Sequence, residues 1–263
     1  MKKWFVFLSL SFALVFSLSA CQHDTEQPEP PASGGQSCRL DSIVHTFDGY
    51  SYSKTFLYFP DGKIRTVSAP SESSTYTYES NRVTESISTL RYPAPAEITY
   101  ELGANGLASR AWYEYYDEES NTIYDTIAFT YNAEGYLVKK VLNRTIMDYE
   151  NQIAGTFETI TTLVITNGNT VEERKASSGS YGDPEEEAVS ARYEFYLNQE
   201  QKEEGFQPPW LGKQNKHLLK KATIYSAGTP VSTTDYSYVL NEKGYVATAT
   251  VNGEKQTYYH TCR

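Results

Sequence analysis

The 263-residue chain has 33 acidic residues against 23 lysines and arginines, a formal net charge of -10. A surplus of this sign repels nucleic acid and anionic headgroups, so neither a nucleic-acid partner nor attachment through a basic patch is expected. Tyr reaches 23 copies and Thr, Val and Ile are abundant, which is strand composition and argues against a helical bundle.

The chain opens with a targeting segment, residues 1–20. Lys2 and Lys3 supply its positive start, and residues 4–18 form an apolar run too short for a comfortable membrane span. The run ends in Leu18-Ser19-Ala20-Cys21, which resembles the bacterial lipobox. That likeness implies cleavage before Cys21 and acylation of its thiol and new amino group. Several acyl chains give stable attachment where one binds only marginally. The competing reading is an ordinary secretory signal followed by an unrelated Cys. Removing Lys2 and Lys3 takes the formal charge from -10 to -12. Residues 21–37 are rich in Pro, then Gly, with no apolar periodicity, and read as a linker. Asp24 and Glu26 loosely resemble the surface-export signals of Bacteroidota lipoproteins.

Residues 38–263 read as a single β domain. Cys38 opens it and Cys262 is penultimate; in an exported chain such a pair suggests a disulfide tying the ends together, with two buried thiols as the alternative. Between them one unit recurs. In Ile127-Ala-Phe-Thr-Tyr131-Asn132-Ala-Glu-Gly135-Tyr136-Leu137 a strand ends in Tyr, a polar turn follows, and a second strand restarts. The turn suits a type I geometry with Gly135 left-handed and one extra residue re-aiming the return strand. Copies lie around Tyr58 and Gly62, Tyr100 and Gly106, Asn167 and Gly168, and Tyr238 and Gly244, with a degenerate one at Tyr78 and Asn81. Their spacing drifts, which argues for a meander of hairpins and against a strict solenoid.

Residues 199–221 break the pattern with a charged stretch, Pro208-Pro209-Trp210-Leu211-Gly212, and a basic run. The expected fold is therefore all-β: a large, curved, twisted antiparallel sheet, open or partly closed like a barrel, soluble and not membrane-spanning. A lipid-facing wall needs an apolar residue at every second position, and stretches such as Val171-Glu172-Glu173-Arg174 do not supply it.

The terminal Cys pair, the tyrosine hairpins and the break at residues 212–221 together resemble a group of Bacteroidota lipoproteins of unknown function with a porin-like fold. The resemblance covers most of residues 38–263 and implies a curved antiparallel sheet and no known activity. The Tyr-Asn-x-x-Gly-Tyr-Leu turn is also similar to the YD repeats of Rhs-type surface proteins, although Tyr131-Asn132 and Tyr238-Val239 lack the Tyr-Asp pair itself.

Motifs for chemistry are few. His23, His45, His217 and His260 have no metal-ligand spacing, and no nucleophile elbow, phosphate loop or dinucleotide fingerprint occurs. No metal, cofactor or catalytic residue is expected. A glycoside hydrolase with carboxylates distant in sequence stays open. The acidic runs at residues 117–119 and 183–187 lack the spacing of a calcium loop. Candidate ligand contacts are aromatic: Trp112, Tyr113, Tyr115, Tyr116 and Trp210. Tyr113 and Tyr115 share one face of a strand, Trp112 and Tyr116 the other. These rings either stack on a glycan or fill the core. The functional expectation is a lipid-anchored protein of the outer membrane, on the surface or the periplasmic face, that binds a ligand, a glycan first, without catalysis. The alternative is an assembly lipoprotein that docks another envelope protein through a sheet edge or face.

Overall fold

The computed structural model describes residues 38–89, 96–116, 121–150, 152–180, 185–202 and 208–262. The targeting segment, the linker, Cys21 and the acidic run at 117–119 lie outside them. The strands run β1 (Cys38–Phe47), β2 (Tyr50–Tyr58), β3 (Ile64–Ala69), β4 (Glu72–Glu79), β5 (Arg82–Thr89), β6 (Ala96–Leu102), β7 (Ala108–Tyr116) and β8 (Thr122–Tyr131). They continue β9 (Leu137–Met147), β10 (Ile153–Thr166), β11 (Asn169–Gly179), β12 (Ala188–Glu200), β13 (His217–Ser226), β14 (Thr229–Leu240), β15 (Val246–Val251) and β16 (Glu254–Cys262). Each pairs antiparallel with its neighbour in sequence, and β16 pairs with β1 to close the ring.

Closure corrects the expectation of an open or partly closed soluble sheet. The finding that overturns it is the register from Cys38↔Cys262 to Thr46↔Lys255, which joins the two ends of the meander over nearly the whole of β1. Among the described residues no helix is long and apolar enough to cross a membrane, a statement that does not bear on strands.

The recurring hairpin turns hold because each is wired locally. Asn132 Oδ1 accepts from the backbone N–H of Glu134 and Tyr136, at 3.1 and 2.9 Å, and Asn241 does the same for Lys243 and Tyr245. Gly135 sits at φ 89°, open to Gly at no steric cost. The register slips by one residue beside each such turn, as between Thr130 and Tyr131, which is a bulge. The Tyr that ends the strand points inward and ties its hydroxyl to a backbone carbonyl: Tyr58 to Leu40 at 2.6 Å, Tyr78 to Ile64 at 2.8 Å.

Alternation sets the two faces. On β8 the buried Ile123 and Asp125 flank the exposed Tyr124. Inward positions hold the main core, with Ile64, Tyr76, Val83, Tyr100, Ala108 and Ala111, and a smaller cluster of Leu218, Val246 and Ala249 across the barrel. The outer wall carries charge instead. Glu172 takes both Arg174 at 2.7 Å and Arg192 at 2.9 Å, the latter directly across the β11–β12 pair. These pairs are exposed and contribute little each.

Cys38 and Cys262 form a disulfide with a sequence separation of 224. Cys262→Ser is expected to lower the unfolding free energy by about 2–5 kcal/mol, because the released denatured chain regains the freedom of a very long loop. Urea unfolding of the two proteins side by side measures this.

Candidate functional site

All seven turns that follow an even-numbered strand lie at one end of the barrel, with the chain entry at Cys38. Between β12 and β13 the described residues 201–202 and 208–216 form a strap at that end. Pro208 is extended, at φ -53° and ψ 130°, and Pro209 starts a single 3₁₀ turn through Leu211. Gly212 ends the turn at φ 92°, pressed against the β8–β9 hairpin; a Cβ there would stand 2.8 Å from the Gly135 carbonyl oxygen and 2.9 Å from the Tyr131 ring. Only Gly fits that contact. Beyond it Lys213 N–H donates to Gly135 O at 2.9 Å and Lys216 N–H to Gly168 O at 2.8 Å. Asn215 Oδ1 accepts from Thr170 N–H at 2.7 Å. The buried Asn169 receives His217 N–H at 2.9 Å and meets its Nδ1 at 2.9 Å.

Trp210 hangs from this strap into the barrel, 3% exposed. Its ring meets Tyr76, Tyr78 and Tyr100 at centroid distances of 5.5, 5.7 and 5.8 Å, and its carbonyl accepts from the Tyr131 hydroxyl. One half of the lumen is thereby corked.

Below the cork runs a polar layer. Tyr76, Glu85, Ile98, Tyr113, Asp125 and Arg144 are successive cross-strand partners from β4 to β9, so they share one level of the wall. Glu85 accepts from the Tyr76 and Tyr100 hydroxyls at 2.9 and 3.2 Å. Asp125, 1% exposed, takes Arg144 in a fork of 2.8 and 2.7 Å, which raises the guanidinium pKa further. Burial pushes the Tyr78, Tyr131 and Tyr193 hydroxyls up to about 12. Tyr76 and Tyr100 go higher still through burial and the Glu85 charge, and Tyr113 through burial and Asp125. A raised folded-state pKa means these hydroxyls stabilise the fold fully below the unfolded value of 10.0 and lose that contribution progressively as pH rises from there through the raised folded-state values. Alkaline titration is therefore expected to bring the tyrosinate absorbance to completion only together with unfolding, because these inner rings ionise last. Full tyrosinate absorbance of all 23 tyrosines in a still-folded barrel would contradict this burial.

The other half of the lumen is open. A cavity of about 440 Å³ lies between the strap residues Gln201, Gln214 and Asn215 and a wall containing Tyr236, Tyr238, Tyr258 and Gln256. Leu218, Val246 and Ala249 floor it. Aromatic faces with a few amides around a space of this size are what small-ligand sites are made of. A separate space of about 220 Å³ reaches Glu85, Tyr76 and Lys54. His45 stacks on Tyr52 at 4.7 Å, and burial, with Lys54 beside it, lowers its pKa.

The aromatic candidates fall in three places. Tyr113 and Tyr115 face the lumen and stack at 5.7 Å. Trp112 lies on the outer wall between the guanidinium groups of Arg82 and Arg110, at 5.7 and 5.8 Å, and Tyr116 is exposed there too. Trp210 fills core. The five do not form one surface. Tyr236, Tyr238, Gln256 and Tyr258 were not among the ligand candidates; their signal was the i, i+2 spacing within β14 and again within β16. Among the described residues no group of three or more His, Cys, Asp or Glu is placed to hold a metal ion.

No protein-family model matches the chain, and no curated protein does. Solved structures do. A porin-like protein from Bacteroides uniformis superposes with a TM-score of 0.51 at 15% identity, over 84% of this chain and 96% of its own. A porin-like protein from Bacteroides vulgatus reaches 0.61 at 11% identity, over 86% of this chain and 99% of its own. At these identities the likeness is one of fold: this chain has the barrel of Bacteroides porin-like proteins.

Proposed function

We propose that the protein is a cell-envelope barrel, anchored in the outer membrane through acylated Cys21, that binds a small ligand in its lumen without catalysis. The observation that carries this reading is the half-filled lumen. Trp210 and three Tyr rings close one side, while Tyr236, Tyr238, Tyr258 and Gln256 border an open cavity on the other. A glycan suits such walls, since sugar faces stack on Tyr and sugar hydroxyls bond amides. The porin-like fold fits an envelope setting. What supports a non-catalytic role is that the two carboxylates buried among the described residues are engaged, Glu85 by two Tyr hydroxyls and Asp125 by Arg144. Closure also leaves the docking alternative only the outer wall and the rims.

A glycan array probed with the purified protein tests the proposal. Retained glycans should lose affinity by roughly tenfold on Tyr238→Ala, the size of effect expected for one stacking ring. No retained glycan, with a second envelope protein recovered by cross-linking in cells, would replace ligand binding with docking.

A further inference from the structure

A groove of about 700 Å³ lies outside the lumen, on the strapped end. Its charge runs against that of the chain. Arg39, Lys63, Lys213 and Lys216 line it, against the single carboxylate of Glu200, in a protein of formal charge -10. The four cations come from three separate elements: β1, the β2–β3 turn and the strap. Lys63 pairs with Asp61 at 3.2 Å, and the other three are neutralised less closely. Lys216 stands 4.0 Å from Glu200, with both side chains more than half exposed. Lys213 lies over the Tyr136 ring at 5.6 Å, and Arg39 over the Tyr58 ring at 4.8 Å. Arg39 Nε is shut off from solvent, 3.6 Å from Asp41, and has no hydrogen-bond acceptor among the described residues.

We infer that this groove is an anion site for a phosphate group. A tetrahedral anion with several oxygens can engage cations arriving from different directions at once, and an Arg in such a set supplies directional donors. The groove also flanks Cys38, where the upstream chain enters the barrel. The phosphate therefore has two candidate sources, free phosphate and the headgroup of a membrane lipid, which share the same chemistry. This inference is independent of what the lumen binds.

The test uses the mature chain, residues 21–263 with Cys21→Ala, so that neither an acyl group nor the apolar run of residues 4–18 contributes to membrane binding. Inorganic phosphate is titrated by calorimetry, and flotation is measured with vesicles of phosphatidylcholine alone and with phosphatidylglycerol added. Binding to the anionic vesicles only, weakening with salt, assigns the headgroup; binding of inorganic phosphate without flotation assigns the free anion. In either case Lys213→Glu with Lys216→Glu should weaken binding by roughly tenfold or more, since each cation near an anionic surface carries a sizeable share. Lys139→Glu with Lys220→Glu, the same charge change away from the groove, should leave it intact. Should the double reversal misfold by circular dichroism, Arg39→Gln, which removes the charge and leaves a shorter polar side chain, takes its place. No binding in either arm, or equal loss from both pairs of reversals, overturns the inference.

Discussion

Trp210→Ala is expected to lower the unfolding free energy by about 3–5 kcal/mol, the range for truncating a large buried aromatic. The indole touches three Tyr rings in the main core and is nearly sealed from water. Removing it leaves a void that the wall cannot collapse into, because Tyr76, Tyr78 and Tyr100 are each fixed by a strand and the first and last also by Glu85. The strap itself should stay seated. Its bonds to Gly135, Gly168 and Thr170 use backbone and Asn215, and the Tyr131 hydroxyl reaches the Trp210 carbonyl, which the substitution keeps. Trp210→Phe should therefore recover much of the loss. Chemical denaturation of the three proteins decides it, and a loss under about 1 kcal/mol for the Ala variant would show that the ring is not a packing element.

Asp125→Ala is expected to be comparably damaging, at about 3 kcal/mol. The carboxylate is fully enclosed while the guanidinium is about one-third exposed, 0% against 34%. Deleting the enclosed partner leaves a charged Arg144 beside the Tyr113 and Tyr115 rings with its fork unfilled. The low end of the range applies because Arg144 keeps access to water. Arg144→Met in the Asp125→Ala background should restore part of the stability, since a well-packed apolar pair avoids burying a lone charge. If the double variant were no better than the single one, the damage would come from the shape of the layer and not from the orphaned cation.

The hairpins were legible in the sequence because their chemistry is local. Asn132, Gly135 and the Tyr before them lie within a few residues of one another, and the structure wires them through Asn132 Oδ1 and the left-handed Gly. The faces of residues 112–116 were legible for the same reason, since alternation needs no knowledge of the partner strand. Closure was not. The pairing of β1 with β16 joins residues more than 200 positions apart, and only the Cys pair hinted at it. The strap was visible as an interruption, yet nothing in Pro208-Pro209-Trp210 says that the segment folds back across its own barrel. That outcome depends on Gly212 meeting the Gly135 turn, a contact between two glycines far apart in sequence. The cavity wall was missed because Tyr236, Tyr238 and Tyr258 look like any other strand tyrosines until the curvature of the ring brings them together.

The bond between Cys38 and Cys262 also shapes how the body would bear mechanical force. A pull arriving through the chain ahead of Cys38 meets a covalent link before it meets a hydrogen bond. Without that link, β1 could be peeled from the wall one rung at a time, and the whole ring would then unroll. Sewn to its neighbour, the first strand passes shear to the last, and drag on the barrel is shared by two strands held as one.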